Sequence, residues 1–269
     1  MIGPIHLRAA LMENDIELVC GCFSRNYQTS LATGKAWFVP EERIYHDYKE
    51  MLEKEAALPK GERMDFVAIV TPNKVHYEQA ALALDLGFDV VLDKPMTFSL
   101  EEALKLQEKV EKTGLTLALT HTYSGYPAVK EMKTRIAEGQ LGKLRRIYVE
   151  YTQGWLSKRI ELEGGNNAGW RTDPNLSGKG GCVGDIGTHA CTSRNTSQAR
   201  RFLSFVPNST PLSRDGPSTT MQRLSCTTRT ASKACCMPRK LQPARRTGLS
   251  FASMARRAAS SGTRWNPTL

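Results

Sequence analysis

"TPNKVHYEQAALALDLGFDVVLDKPMT", residues 71–97, decides the fold class. It follows the apolar run Phe66–Val70, and within it "NKVHYEQAALALDLG" has helical periodicity up to Gly87. A second apolar run, Phe88–Leu92, comes directly after, and then a charged pair and a proline. Short apolar runs separated by amphipathic helices are the signature of βαβ units.

The pattern continues in both directions. Upstream, Ile16–Phe23 reads as a strand, and downstream Thr116–Thr120 reads as another. Between Leu92 and Thr116, "SLEEALKLQEKVEKTG" predicts a helix with Ser99 as N-cap, Glu102 completing a capping box and Gly114 at the stop. Buried strands joined by crossover helices make an α/β fold with a doubly wound parallel sheet, whose ligands sit at the carboxyl ends of the strands. The residues just after each strand are therefore the candidates for chemistry.

From residue 123 the texture changes. "YPAVKEMKTRIAEGQLG" predicts a helix, and "LRRIYVEYTQGW" alternates as a half-solvated strand does, which suits the start of an α+β second domain with a mostly antiparallel sheet. A polar, Gly-rich loop follows over residues 157–180. The chain then breaks in character at Ala190. Residues 191–269 hold fourteen basic side chains against the single acid Asp215, a charge of +13, whereas residues 1–190 hold 23 bases and 26 acids, or −3. Only ten of those 79 residues are Leu, Ile, Val or Phe, which is thin for a packed core, so this stretch is expected to be irregular or disordered.

The expected division is thus 1–122 for a dinucleotide-binding domain, 123–190 for the start of a substrate and oligomerisation domain, and 191–269 for an aberrant tail. The seven cysteines show no zinc-type spacing, so no metal is expected, and Cys20 and Cys22 read as small core residues. No apolar run approaches a membrane span and no signal peptide is recognisable, which predicts a cytoplasmic protein with no membrane partner.

Two strand ends carry candidate chemistry. "TPNKVH" sets Thr71, Pro72, Asn73 and His76 before a helix N-terminus, a natural anion or ribose site. "DKPMT" places Asp93 and Lys94 after the next strand; taken alone, that fragment favours a solvated lysine in an ordinary loop. Further on, "GDIGTHA" spaces Asp185 and His189 four residues apart, a pairing suited to proton transfer or, equally by itself, to a capped helix start.

Together, residues 71–97, "AEGQLGKLRRI", "GWRTDP" and "GGCVGDIGTHA" resemble the Gfo/Idh/MocA oxidoreductases, in family order and covering residues 1–190 nearly continuously. The resemblance implies hydride transfer between a nicotinamide cofactor and a sugar, inositol or related polyol, by a homo-oligomer. It implies Lys94, Asp185 and His189 as the set framing the reacting carbinol. Asp93 stands where the family usually has Glu. His189 can take a hydroxyl proton near neutral pH, Lys94 is a cationic donor, and Asp185 orients the substrate or the imidazole. Thr71, Pro72, Asn73, His76, Asp93 and Lys94 are expected to contact cofactor, with Ser24 and Arg25 at the end of the second family strand. Arg25 there suits a 2′-phosphate, which leans to NADP over NAD. Tyr123, Tyr126, Trp170, Arg171 and Asp173 are candidate substrate residues.

The family's first strand and most of its Gly-rich phosphate turn are expected upstream of "IGPIH", so the chain reads as lacking them. The tail has an explanation in nucleic acid. Shifted by one base, residues 191–199 can encode HLAEYVTG, residues 207–221 ELNTVVPGRPLDDD and residues 253–269 YGEKGGLEWHQMEPNT, all resembling the family's C-terminal sheet domain. The expectation is a one-base slip near Ala190 that leaves the oligomerisation sheet largely missing and the enzyme impaired. The alternative is an inactive remnant whose basic tail binds polyanions nonspecifically, with no specific nucleic-acid recognition.

Overall fold

The computed structural model describes residues 2–142, 144–152, 175, 183–192, 204–211, 220–227, 233–237 and 248–255. They fall into two compact units, Met1–Thr120 and His121–Leu269. The sequence reading put the boundary after residue 122 and set a separate tail from 191.

In the first unit, α1 (Gly3–Leu11), α2 (Tyr27–Ala36) and α3 (Tyr48–Ala57) precede the sheet. Strand β1 (Phe66–Ile69) leads through a 3-10 turn, Asn73–Val75, into α4 (His76–Asp85); β2 (Asp89–Leu92), α5 (Leu100–Thr113) and β3 (Leu117–Leu119) follow. The three strands pair in parallel in the order β1-β2-β3, with Ile69 opposite Leu92 and Leu92 opposite Leu119. The core lies between sheet and helices. Phe88, Val90, Leu92, Ala80, Ala83, Leu84 and Leu106 are each at most 1 % exposed. Burial of that apolar surface is the main favourable contribution to folding this unit.

The helix α5 shows why local sequence decided its ends. Ser99 Oγ accepts from Glu102 N–H, and the Glu102 carboxylate accepts from the N–H groups of Phe98 and Ser99. Gly114 closes it at φ 67°, a left-handed conformation that costs glycine nothing.

One expected strand differs. Ile16–Phe23 makes no ladder; its ordered pairing is a single parallel bridge from Gly21 to Ile44, with the Gly21 carbonyl accepting from Tyr45 N–H. A strand exists only by virtue of a neighbour along its length, and among the described residues none runs beside this segment.

A buried ion pair fastens the region beside it. Glu55 has no solvent exposure; it accepts from Arg43 Nε and Nη2 at 3.0 and 2.5 Å, from the Tyr45 hydroxyl at 2.8 Å and from Met64 N–H at 3.0 Å. Burial pushes its carboxyl up, but these donors outweigh it and hold the group below the ordinary range. Cys20, packed nearby, has its thiol pushed up to about 12 by burial, which makes it a core residue rather than a nucleophile.

The second unit contains α6 (Pro127–Ala137) and β4 (Leu144–Thr152), followed by a π-helical turn at Val183–Gly187 that runs on as helix over 188–192. Strands β5 (Ser204–Pro211), β6 (Thr220–Thr227), β7 (Lys233–Met237) and β8 (Gly248–Ala255) complete a sheet in the order β5-β6-β7-β4-β8. Only β4 and β7 pair in parallel; the other three pairings are antiparallel. Strands β5 to β8 lie in the stretch that composition marked as irregular. Pro207 and Pro211 sit in β5, an edge strand, where a missing donor is tolerated. Among the described residues no helix is long and apolar enough to cross a membrane.

Candidate functional site

In the first unit the carboxyl ends of β1, β2 and β3 converge. Asp93 N–H donates to the Ile69 carbonyl at 2.9 Å, and Thr120 N–H to the Leu92 carbonyl at 3.0 Å, so the ladder extends one residue past each strand. At that point the Asp93 carboxylate accepts from the Thr120 hydroxyl at 2.9 Å, and His6 Nε2 comes within 3.7 Å. Burial pushes the Asp93 carboxyl up, but His6, Thr120 and the Lys94 N–H outweigh it and hold the group below its ordinary value. Asp93 therefore anchors the start of the "DKP" turn to β3 and α1. Lys94, the next residue, is half-buried, and its peptide bond to Pro95 is cis.

Thr71 ends β1 with its hydroxyl donating to Gln79 Oε1 at 2.7 Å; Asn73 is buried, and Pro72 is exposed. His76, expected at the cofactor, turns to the protein's own backbone. It has no solvent exposure, and its ring nitrogens lie 2.7 Å from the Thr71 carbonyl and 2.9 Å from the Pro95 carbonyl. Both ring nitrogens thus face backbone carbonyls of the protein itself.

Ser24 and Arg25 form the turn before α2. Ser24 Oγ accepts from Asn26 N–H, and Asn26 caps the helix by accepting from Thr29 N–H, while Arg25 is exposed. The N-terminus of α1 has no side-chain cap and no acid in its first turn. Pro4 brings no N–H to that turn and the N–H groups of Ile5 and His6 donate to the Ile2 carbonyl, so the exposed Arg25 guanidinium is the cationic group here whose chemistry suits a phosphate.

In the second unit the "GDIGTH" segment supplies Asp185 from the π-helical turn and His189 from the helix that continues it. Turns of this wide type recur at functional sites. Ile186 and Ala190, at 8 % and 4 % exposure, bury this segment's apolar side and carry His189 with them to 7 %. The edges of two rings frame the imidazole: Tyr123 at 4.7 Å between centroids and 72°, and His121 at 5.6 Å and 88°. Tyr126 stacks edge-on against Tyr123 at 5.5 Å. Two of the candidate substrate residues, Tyr123 and Tyr126, thus share one cluster with His189. Trp170, Arg171 and Asp173 lie outside the described residues.

His121 and His6 were missed from sequence. His121 directly follows the third strand and its Thr120, a position the strand-end rule marks for inspection. His6 had no such signal, because its partner Asp93 is remote in the chain.

The model for the oxidoreductase family with the NAD-binding Rossmann fold matches residues 1–121, and that for the Gfo/Idh/MocA C-terminal domain matches residues 129–193. The chain belongs to the Gfo/Idh/MocA oxidoreductase family. Its first unit is that family's NAD-binding Rossmann fold. An uncharacterized oxidoreductase, YfiI, of Bacillus subtilis is 30 % identical over 189 residues, 70 % of this chain and 48 % of its own length. A D-glucoside 3-dehydrogenase of Escherichia coli is 28 % identical over 69 % of this chain and 47 % of its own. The chain thus spans about half the length of these curated relatives. Among solved structures, an inositol dehydrogenase homolog from Azotobacter vinelandii complexed with NAD+ superposes with a TM-score of 0.89 at 26 % identity, covering 95 % of this chain and 66 % of that one.

Proposed function

We propose that this Gfo/Idh/MocA chain is an NAD(P)-dependent oxidoreductase acting on a CH–OH group of a sugar, inositol or related polyol. The observation that carries the reading is the buried His189, framed by rings in the "GDIGTH" turn of a chain whose first unit is a dinucleotide fold. The relatives that act on glucosides or inositol support the substrate class.

The nicotinamide, when bound, supplies the hydride acceptor. The protein's part is proton handling and placement. In the oxidation direction His189 takes the hydroxyl proton on a ring nitrogen as the carbinol C–H bond breaks, and returns it in reduction. Lys94 donates a hydrogen bond to the reacting oxygen, and Asp185 orients the substrate or the imidazole. Ser24, Arg25, Thr71 and Asn73 would hold the dinucleotide, with Arg25 favouring NADP through its 2′-phosphate.

We propose further that residues 191–269 are the same gene read one base out of step, which makes this chain slower than its frame-restored form and deprives it of the family's subunit contacts. The C-terminal family match ends at residue 193, within three residues of the break in charge, which supports this reading. Resequencing the locus tests it, and verified DNA without a family-like neighbouring frame overturns it.

The activity test titrates the purified chain and its frame-restored form with NAD+ and NADP+ against inositols and glucosides, following nicotinamide absorbance. Turnover with one dinucleotide is expected. Neither turnover nor dinucleotide binding in either form, or binding of oligonucleotide alone, overturns it.

A further inference from the structure

Past Asp93 and Thr120 the parallel ladder stops, and the segments 71–75 and 94–99 leave β1 and β2 with no strand pairing to hold them together. The His76 side chain bridges them. The His76 ring, at the start of α4 and wholly buried, has Nε2 at 2.7 Å from the Thr71 carbonyl and Nδ1 at 2.9 Å from the Pro95 carbonyl. Both partners are carbonyls, which only accept, so the two bonds coexist only when both ring nitrogens carry a hydrogen; a neutral ring donates to one carbonyl and packs against the other. We propose that His76 is a positioning residue that ties the two strand-end segments together and sets the backbone from which Lys94 acts. Lys94 then stands between two anchors: Asp93, held by Thr120 and His6, and the Pro95 carbonyl, held by His76. The catalytic side of this inference rests on the proposed role of Lys94; the tie between the segments does not.

The two bonds can be separated chemically. In H76N the amide nitrogen occupies the place of Nδ1 and can serve Pro95; in H76Q it reaches the place of Nε2 and can serve Thr71; H76L keeps the volume and serves neither. On the full-length chain, deuterium uptake of residues 93–99 is measured beside the thermal midpoint. A lost bond of ordinary strength is expected to speed uptake about tenfold in H76L and H76Q, with H76N staying within about threefold of the parent. Uptake of residues 71–75 follows the opposite order, faster in H76N than in H76Q. Equal uptake of residues 93–99 in H76N and H76Q, or no change in H76L, overturns the tie. In steady-state assays kcat is expected to fall about tenfold in H76L and H76Q, with partial rescue in H76N and little change in the KM of the dinucleotide. If the uptake pattern holds while kcat is the same in all variants, the positioning role falls and the oxidoreductase reading stands. If the uptake pattern holds and neither parent nor variants turn over, the oxidoreductase reading falls and the tie stands.

Discussion

Lys94 and His189 are held in opposite ways. The lysine follows a strand end whose position is set by hydrogen bonds: a last ladder rung through Asp93 N–H, a carboxylate bonded to Thr120, and a carbonyl met by His76. The histidine sits on a short helical segment buried on one side, with the edges of Tyr123 and His121 against its ring. Hydrogen bonds fix distance and direction at once, so they suit a group that must present a charge at one point. Ring-edge contacts fix the plane of the imidazole, which suits the base proposed for His189.

The largest expected effect breaks the second side of this comparison. His189→Asn keeps a polar group of similar reach but removes a base, and kcat should fall by about 10² to 10⁴-fold, the usual contribution of general acid–base catalysis. Steady-state kinetics check it; a loss confined to KM would return His189 to a structural role.

Polar clamping recurs in the first unit at Glu55, and there it supports stability rather than chemistry. Glu55→Ala leaves Arg43 partly buried without its carboxylate, and the first unit should lose about 3 to 5 kcal/mol in denaturant unfolding, as for other broken buried pairs. A loss under 1 kcal/mol would show the clamp to be dispensable.

The same clamps predict an acid response. Asp93 and Glu55 both have folded values below their ordinary ones, so their contribution is complete above the unfolded values of about 4 and is lost as pH falls through the depressed folded values. Unfolding midpoints of the first unit should thus decline below about pH 4, and less steeply in Asp93→Asn, which has no carboxylate there to protonate. An unchanged slope in that variant would remove Asp93 from the account.

Smaller effects sharpen the comparison. Ser99→Ala removes one half of the α5 capping box and should cost about 1 kcal/mol, read in the same unfolding experiment. Tyr123→Leu removes a ring edge from His189 and should lower kcat about two- to fivefold, while Tyr123→Phe keeps the edge and should retain most of the activity.

The parts of the molecule legible in sequence are those whose causes are local. Ser99, Glu102 and Gly114 mark α5 because capping acts within one turn, and Phe88–Leu92 reads as a buried strand because four of its five residues are apolar. Asp93 and Lys94 stand directly after that strand, but only the family resemblance singled them out as site candidates. Ile16–Phe23 has an equally apolar pattern but no ladder, since a strand's partner is supplied from elsewhere. The ring of His76 illustrates the same limit at a single residue. Its position marks it for a ligand site, but which way it turns depends on two carbonyls, one of them nineteen residues away.

The sequence by itself determined the family and the order of strands and helices in residues 66–137, because motifs, periodicity and capping act over a few residues. Tertiary structure alone decided that His76 faces backbone carbonyls, that His6 and Thr120 meet Asp93, and that His121 and Tyr123 frame His189. Those contacts join residues from 5 to 87 positions apart. A hydrogen bond or ring contact across such a distance leaves no periodic trace in the chain, and it exists only once packing has brought its two halves together.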